Sequence, residues 1–198
     1  MNPNPSITFF DTQFRKQVAA GDFALNPFEK LALPFLRGRV LDYGCGLGNL
    51  SIEAARLGLE IVAVDASETA IARIRQVASA ENLKIDAVCA GIEDYEIPGG
   101  FDTVVAIGLL MFFTCEKALE LLSRIQAHVT DDGVAIVNVL IQGTTYMGMF
   151  EPGHYCLFGR NELQEWFEGW NILALTHDSF DAPGSTKKTF ATVVAQKN

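Results

Sequence analysis

The sequence lacks long apolar runs, clusters of basic residues and closely spaced cysteines. Its longest apolar run, residues 104–113, is about half of the roughly 20 residues that a membrane-spanning helix needs. Acidic side chains outnumber basic ones by 24 to 15, which gives a net charge of −9. No Lys/Arg cluster offers the basic surface that binding to nucleic-acid phosphates requires. We therefore expect a small-molecule ligand, with neither a nucleic acid nor a membrane as partner.

The four cysteines are too far apart to form a metal-binding motif. They contain no CxxC pair, and no histidine follows them at metal-ligand spacing. We therefore expect no metal, and thiols kept reduced in the cytoplasm. The first residues contain no basic stretch followed by an apolar one, so we expect no signal peptide there. The cysteines are Cys45, Cys89, Cys115 and Cys156.

The 198 residues, 49% hydrophobic and 20% charged, are typical of one globular domain. Short β-branched segments alternate with segments whose apolar residues recur at helical spacing. The predicted strands are residues 40–43, 61–65, 85–90, 103–107 and 134–140. The predicted helices are residues 49–57, 67–80 and 116–128. Strands this apolar, separated by helices, predict a parallel sheet covered on both faces.

The C-terminal part follows a different pattern. A short helix is predicted over residues 162–168, and strands are predicted over residues 172–178 and 189–196. The turn residues Ala182-Pro183-Gly184-Ser185 between the two strands predict an antiparallel hairpin at the end of the sheet. We treat residues 1–198 as a single domain, with a Phe-rich helical cover over residues 1–38 and the α/β core over residues 39–198.

A glycine-rich loop lies between the first predicted strand and the first helix. It includes Gly44, Cys45, Gly46 and Gly48, preceded by Asp42. Glycines there permit positive φ and let the backbone approach a ligand at the N-terminus of a helix. A tight strand–helix turn without a ligand is the alternative interpretation.

Asp65 ends the second predicted strand, where nucleotide-binding α/β folds place an acidic residue that accepts hydrogen bonds from ribose. The alternative is an Asp that caps the following helix. Asp42 distinguishes between cofactors, because a carboxylate beside a pyrophosphate in a partly dry site costs several kcal/mol (about 4 at an effective dielectric of 20). S-adenosylmethionine (SAM) carries an ammonium and a sulfonium instead, so the loop favours SAM over NAD.

The stretch Val40-Leu41-Asp42-Tyr43-Gly44-Cys45-Gly46-Leu47-Gly48 resembles the SAM-binding signature of class I methyltransferases. Residues 101–107 are similar to the fourth-strand motif of that class, and Asp131-Asp132-Gly133 to the turn before its fifth strand. Within the class, residues 110–113, 161–170 and 190–192 resemble the tellurite-resistance group. The resemblance implies a Rossmann-like, seven-stranded, mostly parallel sheet in a three-layer αβα arrangement.

The same resemblance implies a set of cofactor-binding residues. The adenine-binding Asp that is common in the class is replaced by Gly91. Either Glu93 or Asp94 takes over that role, or the backbone at Ile92 and apolar walls hold the adenine, and we favour Ile92 with Glu93. The end of the fourth strand, Ile107, is expected near the methyl group. The expected SAM-binding residues are Asp42, Gly44, Cys45, Gly46, Gly48, Asp65, Ala66, Ile92, Glu93 and Ile107.

The acceptor side is less clearly marked. Methyl transfer needs positioning and exclusion of water, and it needs a general base only when the acceptor arrives protonated. His177 aligns with a histidine of the tellurite-resistance group and is the candidate catalytic residue, with an ordinary strand histidine as the alternative. The resemblance suggests tellurite, selenite or a thiol as acceptor. Residues expected to line the acceptor mouth are Tyr146, Met147, His154, Tyr155 and Cys156.

Two other functions remain open from the residues alone. One is an NAD-linked oxidoreductase on the same topology, which Asp42 and the glycine spacing disfavour. The other is a non-catalytic binding module that has kept the fold and lost SAM, for which the altered position at Gly91 is the support. The sequence does not indicate the oligomeric state.

Overall fold

The structure, a computed structural model, describes residues 5–198, with side chains from residue 9 onward. The helices are α1 (Pro5–Ala20), α2 (Pro27–Ala32), α3 (Asn49–Arg56), α4 (Glu68–Glu81), α5 (Cys115–Ala127) and α6 (Glu162–Glu165). The strands are β1 (Arg39–Tyr43), β2 (Glu60–Asp65), β3 (Ile85–Cys89), β4 (Phe101–Ile107), β5 (Val129–Leu140), β6 (Asn171–Ala182) and β7 (Thr186–Gln196). Single 3₁₀ turns cover Leu33–Phe35 and Leu110–Phe112.

The seven strands form one sheet in the order β3-β2-β1-β4-β5-β7-β6. The pairs β3–β2, β2–β1, β1–β4 and β4–β5 are parallel, whereas β7 runs antiparallel to both of its neighbours. The strand order reverses between β1 and β4, and ligands of open α/β sheets bind at the carboxyl ends of the strands at such a point. The predicted fold class is confirmed.

Alternation along the strands fills two separate cores, one on each face of the sheet. In β1, Val40 packs on the face covered by α3 and α4, while Leu41 and Tyr43 pack on the face covered by α5. Helix α4 contributes Ile71 and Ile74 to the first core. This is the three-layer arrangement expected of a parallel sheet that is buried on both sides.

Side-chain caps mark the starts of α2 and α4. The Ser67 hydroxyl accepts a hydrogen bond from the amide of Ala70 at 3.2 Å at the start of α4. Asn26 forms a capping box with Glu29, in which each side chain accepts a hydrogen bond from the other residue's backbone amide. Such caps satisfy amides that have no partner inside the helix.

The element boundaries differ from the predicted ones by three residues or more in three places. The hairpin strands are longer, since pairing continues to Ala182 and Thr186 on either side of the turn. The helix expected over residues 162–168 is regular only over Glu162–Glu165. Strand β5 begins at Val129 instead of residue 134, because Val129 already pairs with Phe101 of β4. The turn residues that follow Val129 lie within the strand, where the pairing shifts register. There Asp132 has a φ of 62°.

The expectation that all four cysteines are reduced thiols is wrong for two of them. Cys115, at the start of α5, is disulfide-bonded to Cys156, 41 residues later. Packing brings them together, because the Cys156 amide donates a hydrogen bond to the Met111 carbonyl at 3.1 Å, close to the start of that helix. Cys45 and Cys89 are free thiols. A cytoplasmic location stays a prediction.

The helices in residues 5–198 are all too short or too polar to cross a bilayer. The helical cover predicted for residues 1–38 includes α1 and α2. Its first four residues lie outside the described residues, and the division of the chain into cover and core stays a prediction.

The disulfide between Cys115 and Cys156 is expected to stabilise the fold. Closing a loop of 41 residues removes unfolded-chain entropy equivalent to about 4 kcal/mol. Dithiothreitol should therefore lower the melting temperature of the wild-type protein, as measured by circular dichroism. The Cys115→Ser/Cys156→Ser variant should already melt lower and should not respond to the reductant. Equal melting temperatures for all four samples would contradict a stabilising disulfide.

Candidate active site

The glycine loop between β1 and α3 requires glycine at particular positions. Gly44, Gly46 and Gly48 have φ values of 77°, 52° and 70°, a region that other L-residues adopt at a cost. A Cβ on Gly44 would come within 2.7 Å of a terminal methyl of Leu109, and one on Gly48 within 2.5 Å of Ile74. The glycines of the loop thus leave the backbone uncovered by side chains at the carboxyl end of β1.

The Asp65 carboxylate ties this loop to the start of α4. Its Oδ2 accepts a hydrogen bond from the Gly46 amide at 2.9 Å, and its Oδ1 accepts one from the Ser67 amide at 2.8 Å. Asp65 therefore makes the capping contact considered as an alternative and also orders the loop. Burial raises the pKa of this carboxyl group despite these hydrogen bonds.

Asp42 lies deeper, at the tip of β1. Its side chain is only 6% exposed, and its Oδ2 accepts a hydrogen bond from the Ser51 hydroxyl at 2.6 Å. Burial raises the pKa of Asp42 to about 7, opposed by that hydrogen bond and reinforced by the nearby carboxylates of Glu29 and Asp65. A cation bound beside Asp42 would favour its ionised form and lower this pKa.

One cavity of about 630 Å³ opens at the carboxyl ends of the central strands. It brings together the predicted cofactor-binding residues except Gly48, whose backbone caps α3 next to Ile74. The residues brought together are Asp42, Gly44, Cys45, Gly46, Asp65, Ala66, Ile92, Glu93 and Ile107.

The cavity is strongly acidic. Five carboxylates line it, and no Lys, Arg or His stands among the described residues of its wall. A buried carboxylate without a cation is costly, because desolvation favours its neutral form. The wall is therefore suited to a positively charged ligand group. The five are Glu29, Asp42, Asp65, Glu93 and Asp94.

A buried amide at the loop has an unpaired oxygen. Asn49 follows Gly48 and lines the cavity, and its Oδ1 is buried without a hydrogen-bond partner among the described residues. A carbonyl oxygen can only accept a hydrogen bond. Asn49 thus keeps an unused acceptor next to the loop.

The segment after β3 forms another wall. The Tyr43 hydroxyl donates a hydrogen bond to the Ile92 carbonyl at 2.5 Å, which anchors this segment to β1. A Cβ on Gly91 would meet Asp94 Oδ2 at 3.3 Å. The Asp94 carboxylate thus lies close to the position that the Cβ of a larger residue at position 91 would take. Glu93 lines the cavity as well.

Aromatic rings from four segments also line the cavity. Phe10 of α1 packs edge-on against Phe112 with ring centroids 4.8 Å apart, and Phe28 of α2 packs on Phe190 of β7 at 4.7 Å. All four line the cavity, as does Phe14. The aromatic-rich N-terminal segment therefore contributes to the cavity wall.

Asn138, a polar residue of β5, lines the same cavity as these rings. It is fully buried in β5 and lines the cavity, and its Nδ2 donates a hydrogen bond to the Thr192 hydroxyl at 2.8 Å. Its Oδ1 has no partner among the described residues. Leaving such an acceptor unpaired costs roughly 1–3 kcal/mol.

His177 is not brought to this cavity. It lies on the edge strand β6, and its Nε2 is 2.9 Å from the carbonyl oxygen of Arg160. It is absent from the described cavity wall, so the structure does not place it against a bound ligand. Its catalytic role stays a prediction.

The other acceptor-mouth candidates lie outside this cavity too. Tyr155 stacks on Phe150 at 5.2 Å, and Phe150 contacts Phe112 of the cavity wall at 5.3 Å. Tyr155 thus continues the aromatic wall outward. The ring of Tyr146 packs against the Lys188 ammonium, and Cys156 is held in the disulfide. Met147 and His154 are likewise not part of the described cavity wall.

Sequence reasoning did not identify Glu29, Asn49 or Asn138 as site residues. One signal was present, since Asn138 interrupts an otherwise apolar strand. Glu29 and Asn49 resemble ordinary helix-terminal residues, and only the packing of α2 and α3 beside β1 brings them to the cavity.

This chain is similar in sequence and in fold to known methyltransferases. Residues 40–133 match the model of a family described as a methyltransferase domain. The chain is 27% identical over 165 residues to a probable SAM-dependent methyltransferase, TehB of Haemophilus influenzae (strain 10810). That match covers 80% of this chain and 57% of the relative. The chain thus spans just over half the length of that protein.

Solved structures share the fold. The crystal structure of TehB from Haemophilus influenzae matches with a TM-score of 0.78 and 23% identity, covering 92% of this chain and 65% of that one. The N-methyltransferase NodS from Bradyrhizobium japonicum WM9, in complex with S-adenosylhomocysteine, matches with a TM-score of 0.69 and 14% identity, covering 95% and 98%. These structures show the shared fold, and together with the family match and the TehB relative they confirm the predicted resemblance to the methyltransferases.

Proposed function

We propose that this chain, a relative of the class I SAM-dependent methyltransferases, transfers a methyl group from SAM to a small-molecule acceptor. The observation that carries the proposal is the acidic cavity at the carboxyl ends of β1, β2 and β4. There a bare glycine loop adjoins Asp42 and Asp65, and no cationic side chain is found among the described wall residues. A dinucleotide would bring its pyrophosphate against these carboxylates, which disfavours the NAD-linked alternative.

The residues present fit the amino-acid end, the ribose and the methyl group of SAM. Asp42 and Asn49 offer acceptors to the α-ammonium, and Asp65 retains lone pairs for ribose hydroxyls beyond the two amides that it already accepts. The loop backbone approaches the amino-acid end, with Cys45 contributing its backbone. Ala66 lines the cavity next to Asp65, and Ile107 ends β4 near the expected position of the methyl group.

Asp94 supplies the adenine-binding carboxylate in this proposal. Its position beside Gly91 supports it over Glu93, because its carboxylate lies where a side chain at residue 91 would begin. The Ile92 carbonyl already accepts the Tyr43 hydroxyl, so the Ile92 backbone would contribute its amide.

When bound, SAM supplies an electrophilic methyl group on a positively charged sulfur. The chain's part is to position the acceptor in line with that methyl group and to exclude water from the cavity. The rings of Phe10, Phe28, Phe112 and Phe190 enclose the acceptor end. No general base is assigned there.

The resemblance to the tellurite-resistance group suggests tellurite, selenite or a thiol as acceptor. The cavity disfavours the two oxyanions, because its described walls carry carboxylates and aromatic rings and no cation. An anion would face like charges in a partly dry site.

Replacing Asp65 tests the cofactor site. Asp65→Ala should weaken the binding of SAM and S-adenosylhomocysteine at least tenfold by isothermal titration calorimetry, a loss of roughly 1.4 kcal/mol, because the ribose loses its acceptor. Asp86→Ala removes an exposed carboxylate on β3 and should bind like the wild type. Unchanged affinity in Asp65→Ala would contradict the ribose contact. No binding of either ligand to the wild type would favour the non-catalytic alternative.

The affinity for S-adenosylhomocysteine should depend on the ionisation of Asp42. The pKa of Asp42 is about 7 without ligand, and only the carboxylate attracts the α-ammonium. Binding is therefore strongest above pH 7 and weakens as the pH falls through 7, by roughly five- to tenfold between pH 7.5 and 6. In Asp42→Asn, calorimetry should give weaker binding with a flat profile over this range. A wild-type profile equally flat would exclude Asp42 as the ammonium partner.

A ligand without the adenine amino group distinguishes Asp94 from Glu93 as that group's hydrogen-bond partner. Wild-type protein should prefer S-adenosylhomocysteine to S-inosylhomocysteine, which lacks the 6-amino donor. The Asp94→Asn variant should lose most of that preference, about tenfold for a hydrogen bond to a charged group. Glu93→Gln is the matched control and should keep it. The reverse pattern would assign the contact to Glu93.

A further inference from the structure

Asn138 lines the cavity and has a buried side-chain oxygen that no described residue engages. We infer that the part of the cavity next to Asn138 binds a neutral, planar aromatic acceptor carrying an N–H or O–H donor, and that Asn138 Oδ1 accepts a hydrogen bond from that donor. The inference rests on the proposed methyl transfer and specifies the chemistry of its second substrate.

Asn138 lies beside the point where methyl transfer is proposed. It pairs in parallel register with Ile107, the last residue of β4. The backbone carbonyl of Asn138 accepts a hydrogen bond from the Gly108 amide at 3.1 Å. A Cβ on Gly108 would find no atom within 4 Å, so there is open space next to this pair. An acceptor seated there would adjoin both the methyl group and Asn138.

The orientation of the Asn138 amide follows from its neighbours on β7. Its Nδ2 lies 2.8 Å from the Thr192 hydroxyl and 3.5 Å from the Ala191 carbonyl oxygen. A carbonyl oxygen cannot donate, so the NH₂ group must face Ala191. The oxygen is therefore the atom left unpaired, and it requires a donor from the ligand.

The surrounding walls suit a flat ring. Phe10 and Phe112 pack edge-on at 4.8 Å, and Phe28 contacts Phe190 at 4.7 Å and Phe180 at 5.7 Å. Aromatic rings favour stacked or edge-on contacts with other rings. Rings from α1, α2, the 3₁₀ turn after β4 and strand β7 thus line the same cavity as Asn138.

The charge of the cavity selects against anions. Glu29 lines the wall near Asp42, and the described wall contains no Lys, Arg or His to balance an anionic acceptor. A tellurite or selenite ion would also leave the aromatic surface without a partner. A neutral aromatic molecule satisfies both the rings and the unpaired oxygen.

Calorimetry on protein saturated with S-adenosylhomocysteine tests the inference with 1,2-dihydroxybenzene, 1,2-dimethoxybenzene and sodium tellurite. We expect the dihydroxy compound to bind at least tenfold more tightly than the dimethoxy compound, which has a similar skeleton and no donor. Tellurite should not bind measurably. Stronger binding of tellurite than of either ring, or no binding of either ring, would overturn the inference.

Variants at Asn138 test whether its side-chain oxygen causes the preference for the dihydroxy compound. Asn138→Leu and the smaller Asn138→Ala should reduce the ratio of the two affinities to within twofold of unity. Thr192→Val is the matched control, because the Ala191 carbonyl still orients the amide, and it should keep the preference. A ratio unchanged in both Asn138 variants would remove Asn138 from the site.

The affinity for S-adenosylhomocysteine, measured first on each variant, separates the two claims. Asn138 variants that bind it like the wild type are folded, so a change in the ratio then reports on acceptor recognition. Wild-type protein that binds neither SAM nor S-adenosylhomocysteine would overturn the proposed function itself. Binding of the cofactor with no preference for the donor would overturn only this inference.

Discussion

The arrangement of the site depends on the Asp65 carboxylate, which joins two chain segments at the reversal point of the sheet. One oxygen accepts from the Gly46 amide and the other from the Ser67 amide. The first contact holds the glycine loop open beside β1, and the second fixes the start of α4. Because both segments follow neighbouring parallel strands, one short side chain reaches both.

Unbalanced negative charge is the second constraint on this chain. Asp42 is buried and Asp65 and Glu29 are half-buried, and burial raises the pKa of each carboxyl group. A structure selected for stability alone would avoid grouping such side chains. The grouping is explained by a cationic ligand group that enters the cavity and compensates for the carboxylates. The acidic residues that disfavour a phosphate-bearing cofactor thus also favour a sulfonium nucleoside.

The cavity wall combines two kinds of surface. The loop backbone and the carboxylates of Asp42 and Asp65 come from the ends of β1 and β2, whereas aromatic rings come from α1, α2, β7 and the turn after β4. The N-terminal helices thereby complete a cavity that begins at the sheet. Asn138 joins the wall from β5, which neighbours β4 on one side and β7 on the other.

Local pattern was enough to predict the parallel sheet, the C-terminal hairpin, and Asp42, Asp65 and the glycine loop as one site. Hydrophobic periodicity and turn chemistry are short-range, and parallel strands bring their carboxyl ends to the same edge. Tertiary packing alone decided that Cys115 meets Cys156, that Asn49 and Asn138 keep unpaired oxygens, and that His177 lies away from the cavity. Each of these outcomes depends on residues far apart in the chain, whose distances no spacing in the sequence encodes.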